Sequence, residues 1–168
     1  MTLDIRFATG GEAELEEIII EYNEKLRRYA TSILFNHADA EDVLQDVFFT
    51  AFQKRHLFDG ENLSAWLYKI TYRLCLNKRK KKKFLFFSDV DDLVVMDDFT
   101  SKLANDDFMA YALSRLKISE RALLYGRIVD NLSYEELSIV LGKSPTALRK
   151  QYERAKNKVA ELLERKGQ

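Results

Sequence analysis

The chain has 168 residues, with 27 Lys/Arg against 27 Asp/Glu, one Pro, six Gly and a single Cys. That length bounds it to one domain or two small ones; the scarcity of Pro and Gly disfavours an all-β fold, which needs many turns, and the lone Cys75 excludes an internal disulfide and fits a reducing compartment. No apolar run approaches the roughly 18 residues of a membrane span and the N-terminus lacks a signal-peptide core, so a soluble, cytoplasmic protein without membrane insertion is expected.

The zero net charge conceals a division. Residues 1–83 carry 14 basic and 13 acidic residues, 84–107 carry one Lys and seven Asp, and 108–168 carry 12 basic and seven acidic residues. The pattern predicts a near-neutral domain over 1–83 with a basic end, an acidic connector over 84–107 and a basic domain over 108–168. Such asymmetry points to nucleic acid or an electrostatic partner.

In chain order, the residues before Gly10-Gly11 show no informative pattern. From Glu12, the apolar positions Leu15, Ile18, Ile19, Tyr22, Leu26, Tyr29, Ala30 and Ile33 recur at helical spacing and predict one buried stripe. "NHADAED" interrupts it, and Asp39 is the expected N-cap of the next helix. There Ala40, Val43, Leu44, Val47, Phe48, Ala51 and Phe52 form a core face. Asp42, Gln45, Asp46, Phe49 and Gln53 share the opposite one. Two readings of Phe49 stand side by side: a widened core stripe, or the aromatic anchor of an acidic docking face.

"HLFDGEN" reads as a loop with Gly60 as pivot, followed by a helix over 63–83. Leu63, Trp66, Leu67, Ile70 and Leu74 are its expected inner positions. Lys69, Arg73, Asn77, Lys80 and Lys81 form a basic stripe bordered by Tyr68 and Tyr72, a pattern suited to neutralising phosphates and stacking on unpaired bases. The helix dipole accounts for one or two basic residues at a C-terminus, not for the six in a row from Lys78 to Lys83. The Asp-rich connector is expected to hold little regular structure. Its 24 residues could extend to about 80 Å, at roughly 3.3 Å per residue, letting the two domains reach distant parts of one target.

The segment "LSYEELSIVLGKSPTALRKQYERAKNKVAELL" carries the most specific local signal. Ser133 and Glu136 form a capping box, with Leu132 and Leu137 as its hydrophobic staple. Gly142 stops the first helix. Ser144 caps the second, with Pro145 at its first position. Leu148, Tyr152, Ala155, Val159 and Leu162 or Leu163 make the inner face. Thr146, Arg149, Lys150, Gln151, Glu153 and Arg154 lie outside or at the flanks. Two helices joined by a Gly turn, the second basic at its start, match what enters the DNA major groove.

With these residues in view, the chain resembles bacterial RNA polymerase sigma factors of the extracytoplasmic-function (ECF) group. "AEDVLQDVFFTAF" is similar to region 2.2, "LSAWLYKITYRLCLNKRK" to regions 2.3 and 2.4, and "YEELSIVLGKSPTALRKQYERAK" to region 4.2. The resemblance implies an all-α fold of two small helical domains. It implies polymerase docking through Asp42, Gln45, Asp46 and Phe49, on the clamp helices of the largest subunit. It implies contact with the −10 element through Lys69, Tyr72, Arg73, Asn77, Lys80 and Lys81. It implies reading of the −35 element through Ser144, Thr146, Arg149, Lys150, Gln151 and Arg154. Arg73 stands where the family commonly carries Asn, and its guanidinium suits phosphate. The connector, by resemblance, threads a polymerase channel as an acidic mimic of nucleic acid. Core RNA polymerase and promoter DNA are the implied partners, an anti-sigma factor is left open, and no cofactor or small-molecule substrate is called for.

Two other classes share parts of this pattern. One is a stand-alone helix-turn-helix regulator with a helical sensor or dimerisation domain, which needs neither the acidic face nor the basic helix. The other is a docking module without DNA contact. An enzyme is disfavoured: His37 and His56 are the only histidines, and no metal spacing, phosphate-binding loop or nucleophile elbow is present.

Overall fold

A computed structural model describes residues 2–86 and 107–166, with side chains over 2–84 and 111–165. Among these residues the secondary structure is helical: α1 (Leu3–Thr9), α2 (Glu12–Leu34), α3 (His37–Gln53), a 3-10 turn (Arg55–Leu57), α4 (Leu63–Phe86), α5 (Asp107–Ser114), α6 (Ile118–Ile128), α7 (Tyr134–Leu141) and α8 (Pro145–Lys166).

The N-terminus differs from expectation. Residues before Gly10 form helix α1, and Phe7 is fully buried. Seven residues are too few to hold a helix alone; this one is fixed by tertiary contacts. Arg6 pairs with Glu17 of α2, Asp4 accepts the Leu63 N–H at the start of α4 at 3.0 Å, and the Phe7 ring meets Trp66 edge-on at 6.2 Å. Gly10 lets the chain turn tightly out of α1, since a Cβ there would stand 2.6 Å from the Arg6 carbonyl oxygen.

Helices α2, α3 and α4 bury the stripes that periodicity marks. Ile18, Leu26, Tyr29, Val43, Val47, Leu63 and Leu67 lie in one core. The turn between α2 and α3 runs through Phe35 at φ 49°, a left-handed conformation held by burial of its ring. The cap of α3 is Asn36, not Asp39: its side-chain oxygen accepts the Asp39 N–H at 2.9 Å. Asn and Asp cap about equally well; the helix begins three residues earlier than expected because Asn36, with extended backbone, is the first residue after the left-handed turn. Asp39 sits in the first turn and pairs with Lys82. Helix α4 runs through Phe86, three residues into the expected connector. The rest of the connector, up to 106, lies outside the described residues.

The C-terminal helices do not stand apart. Helix α7 packs on α4 and α6 on α2. Ala122, Leu123, Leu132, Leu137, Val140 and Leu148 belong to the same buried cluster as the N-terminal core. At the seam, Tyr29 lies 4.8 Å from Tyr68 and 6.2 Å from Tyr125, ring to ring. The Tyr68 hydroxyl donates to Asp130 in the α6–α7 loop. The Arg121 guanidinium, fully buried, lies 4.7 Å from the Phe35 ring centre. The two halves therefore pack against each other through these side chains.

Candidate nucleic-acid interface

Helix α3 presents the acidic stripe as read from sequence. Asp42, Gln45, Asp46, Phe49 and Gln53 are all exposed. Phe49 is 63% exposed, which removes the reading of it as core. Asp42 is not free: Lys78 reaches it from α4 at 3.1 Å. Two helices packed side by side bring residues 36 apart in sequence into an ion pair, which no local pattern reports. Gln45, Asp46 and Phe49 remain as an open aromatic-and-polar patch.

The basic run on α4 is split by helical geometry. Lys78 and Lys82, four apart, point to the acids of α3, pairing with Asp42 and Asp39. Lys80 and Lys81 project from the other side and are exposed, as are Arg73 and Asn77; Lys69 and Tyr72 are half-buried. The aromatic border is where structure departs from sequence. Tyr68 is 1% exposed, and with Ala65, Thr71 and Cys75 it makes a second buried stripe beside the Leu63–Leu67 one. A helix apolar on two sides must be covered on both, and α7 covers α4 here. Burial raises the Tyr72 hydroxyl pKa and pushes the Cys75 thiol up. Cys75 is thus an inert buried side chain rather than a reactive one.

The helix-turn-helix forms as its caps dictate. Ser133 accepts the Glu136 N–H at 3.0 Å and Glu136 accepts the Ser133 N–H at 3.1 Å. Gly142 takes the left-handed conformation at φ 71°, and Ser144 caps α8 by accepting the Ala147 N–H at 3.2 Å. Leu148 and Ala155 are buried, so α8 turns Thr146, Arg149, Lys150, Glu153 and Arg154 outward; all five are exposed. Gln151 is engaged inside the domain, accepting from Lys143 at 3.2 Å and donating to Ser119 of α6 at 3.3 Å. The Ser144 hydroxyl is likewise held by its cap. The outward set left open is therefore Thr146, Arg149 and Lys150, with Arg154 a turn further on. Sequence reasoning passed over Tyr134, the first residue of α7, whose ring lies against both Arg127 and Arg149.

Among the described residues no group of three or more His, Cys, Asp and Glu could hold a metal, and no helix is long and apolar enough to cross a membrane.

An acidic helix and a basic helix in one half, and a helix-turn-helix in the other, define a two-part DNA-directed protein. Residues 18–84 match sigma-70 region 2 and residues 109–159 match sigma-70 region 4. The ECF sigma factor SigM of Mycobacterium tuberculosis is 23% identical over 155 residues, covering 92% of this chain and 79% of SigM. The sigma factor CnrH of Cupriavidus metallidurans is 26% identical over 180 residues, covering 94% of this chain and 90% of CnrH. The solved structure of CnrH in complex with the cytosolic domain of CnrY superposes with a TM-score of 0.76, at 23% identity, covering 96% of this chain and 95% of that one. RpoE of Bartonella quintana, solved with the anti-sigma factor NepR, gives 0.70 at 22% identity over 89% of this chain and 96% of that one. The chain belongs to the sigma-70 family, within its ECF group, and is a sigma factor that directs transcription initiation by RNA polymerase.

Proposed function

We propose that this sigma factor docks on core RNA polymerase through the Gln45, Asp46 and Phe49 patch of α3, with Asp42 released from Lys78. In this reading α4 contacts the −10 element through Lys69, Tyr72, Arg73, Asn77, Lys80 and Lys81. Helix α8 contacts the −35 element through Thr146, Arg149, Lys150 and Arg154. The observation that carries it is Phe49, a large aromatic left 63% exposed in the middle of a polar stripe, the composition of an interface anchor rather than of a solvated face. The domain limits 1–83 and 108–168 and a cytoplasmic, non-enzymatic role without cofactor belong to the same reading. An anti-sigma factor is its natural regulator, since CnrH and RpoE were each solved with a partner protein, NepR being an anti-sigma factor.

The covered flank of α4 adds a condition. Tyr68 lies under the C-terminal half, beside Tyr29 and against Asp130. For that flank to meet a melted strand, the halves must separate.

In-vitro transcription with purified core polymerase on a promoter library is the test. The reading expects promoter-selective initiation that Phe49→Ala reduces. A gel shift without core gives the opposing outcome: tight duplex binding by the protein alone, with no core-dependent initiation, makes it a stand-alone regulator.

A further inference from the structure

We propose that Tyr134 is a positioning residue for Arg149, so that the first turn of α7 sets how α8 reads the −35 element. This rests on the reading of Arg149 as a base-contacting residue.

Arg149 follows the buried Leu148, which fixes its backbone, yet its side chain is long, exposed and rich in rotamers. Left to itself it would meet DNA from many directions. In the structure it is held from another helix. Its guanidinium carbon lies 4.9 Å from the centre of the Tyr134 ring, and a terminal nitrogen lies 3.9 Å from a Glu135 carboxylate oxygen. The carboxylate is beyond hydrogen-bond reach and acts on the guanidinium only through its charge, while the ring lies within cation–π distance. A flat guanidinium over an aromatic face is also the geometry that suits arginine and not lysine.

The platform is itself braced. Arg127 brings a second guanidinium 5.0 Å from the same ring centre and donates to the Leu132 carbonyl at 3.3 Å. The Tyr152 ring meets Tyr134 edge-on, with centres 6.3 Å apart at 84°. Tyr134 stands directly after the Ser133 cap, the most rigidly specified point of the motif. Arg154, a turn further along α8, shows the contrast: it donates to the Lys150 carbonyl of its own helix at 3.4 Å, and among the described residues no ring lies beneath it. The fork of Arg149 therefore carries the α7–α8 geometry, which a base-edge contact needs and a phosphate contact does not.

The competing account makes Tyr134 simply a half-buried packing tyrosine. Four variants separate the two in holoenzyme with core polymerase, on a randomised −35 library: Tyr134→Phe, Tyr134→Leu, Arg149→Ala, and Tyr134→Leu with Arg149→Ala. Thermal melting of each checks the fold. Tyr134→Phe keeps the ring and should select as the parent does. Tyr134→Leu should lose about two- to fivefold of preference, the size of a surface cation–π contact. The loss should fall at the base pair where Arg149→Ala relaxes selection, with other sequences unchanged. In the Arg149→Ala background Tyr134→Leu should add nothing. If Arg149→Ala relaxes one position but Tyr134→Leu weakens all sequences equally, or adds its full loss in the double variant, the positioning role is overturned while base reading stands. If Arg149→Ala itself weakens all sequences alike, base reading fails and the proposal falls with it.

Discussion

Asp130 is the polar group at the seam between the halves. It lies in the α6–α7 loop, faces Tyr68, Tyr125 and Tyr29, and has Lys25 and Arg28 within electrostatic reach. One of its oxygens, Oδ2, is buried without a hydrogen-bond partner among the described residues. Asp130→Lys would remove the acceptor of the Tyr68 hydroxyl and set a third cation beside Lys25 and Arg28. A hydrogen bond to a charged group contributes about 1.5–3 kcal/mol, so the ratio of closed to open chain should fall by roughly 10- to 150-fold, before added repulsion. Small-angle scattering reads this directly: a compact chain of this length has a radius of gyration of about 15 Å, and the variant should be larger by several ångströms. Asp130→Asn keeps an acceptor and removes a desolvated charge, so it should stay closed. Acidity should favour the closed form. Burial raises the Asp130 pKa above its ordinary value, so the closed form binds more protons than the open one. The closed form therefore weakens as pH rises from the ordinary carboxylate range through the raised pKa, and Asp130→Asn should flatten that dependence. An unchanged radius for Asp130→Lys would refute the view that this contact holds the halves together.

Other expectations are as direct. Phe49→Ala should cost about 2 kcal/mol or more of core-polymerase affinity, as truncating an interface hot spot does, with no loss of melting temperature because the ring is exposed; a pull-down titration with core checks it. Lys80→Gln with Lys81→Gln should flatten the salt dependence of promoter binding by the holoenzyme by roughly 0.7–0.9 in log–log slope per lost phosphate contact, read from binding across a salt series. Arg149→Ala should cost about 1–3 kcal/mol on the preferred −35 sequence and relax one position, while Arg154→Ala weakens all promoters alike, as binding to a randomised library would show. Asn36→Ala should destabilise the fold by about 1 kcal/mol through loss of the α3 cap, read by thermal or urea unfolding.

Local chemistry alone determined the helix-turn-helix. Ser133, Glu136, Gly142, Ser144 and Pro145 act within a few residues of themselves, so their roles are written in order along the chain and the structure repeats them. The open patch of Gln45, Asp46 and Phe49 was legible for a similar reason: helical spacing places them opposite the core residues Val43, Leu44 and Val47. What spacing cannot express is which neighbour covers a face. Tyr68 and Cys75 sit at helical intervals on α4, but only the docking of α7 and the Asp130 loop makes that flank an interior. Asp42 and Lys78 are each charged surface residues by pattern; the crossing of α3 and α4 turns them into a pair. Gln151 faces outward by rotation along α8, yet Ser119 and Lys143 hold its amide. Helix α1 has too few residues to announce itself, and it exists because Asp4, Arg6 and Phe7 find partners in α2 and α4. Periodicity and capping are properties of a segment, whereas burial, ion pairing and the orientation of Arg149 over Tyr134 depend on how segments meet, and only the packed chain decides that.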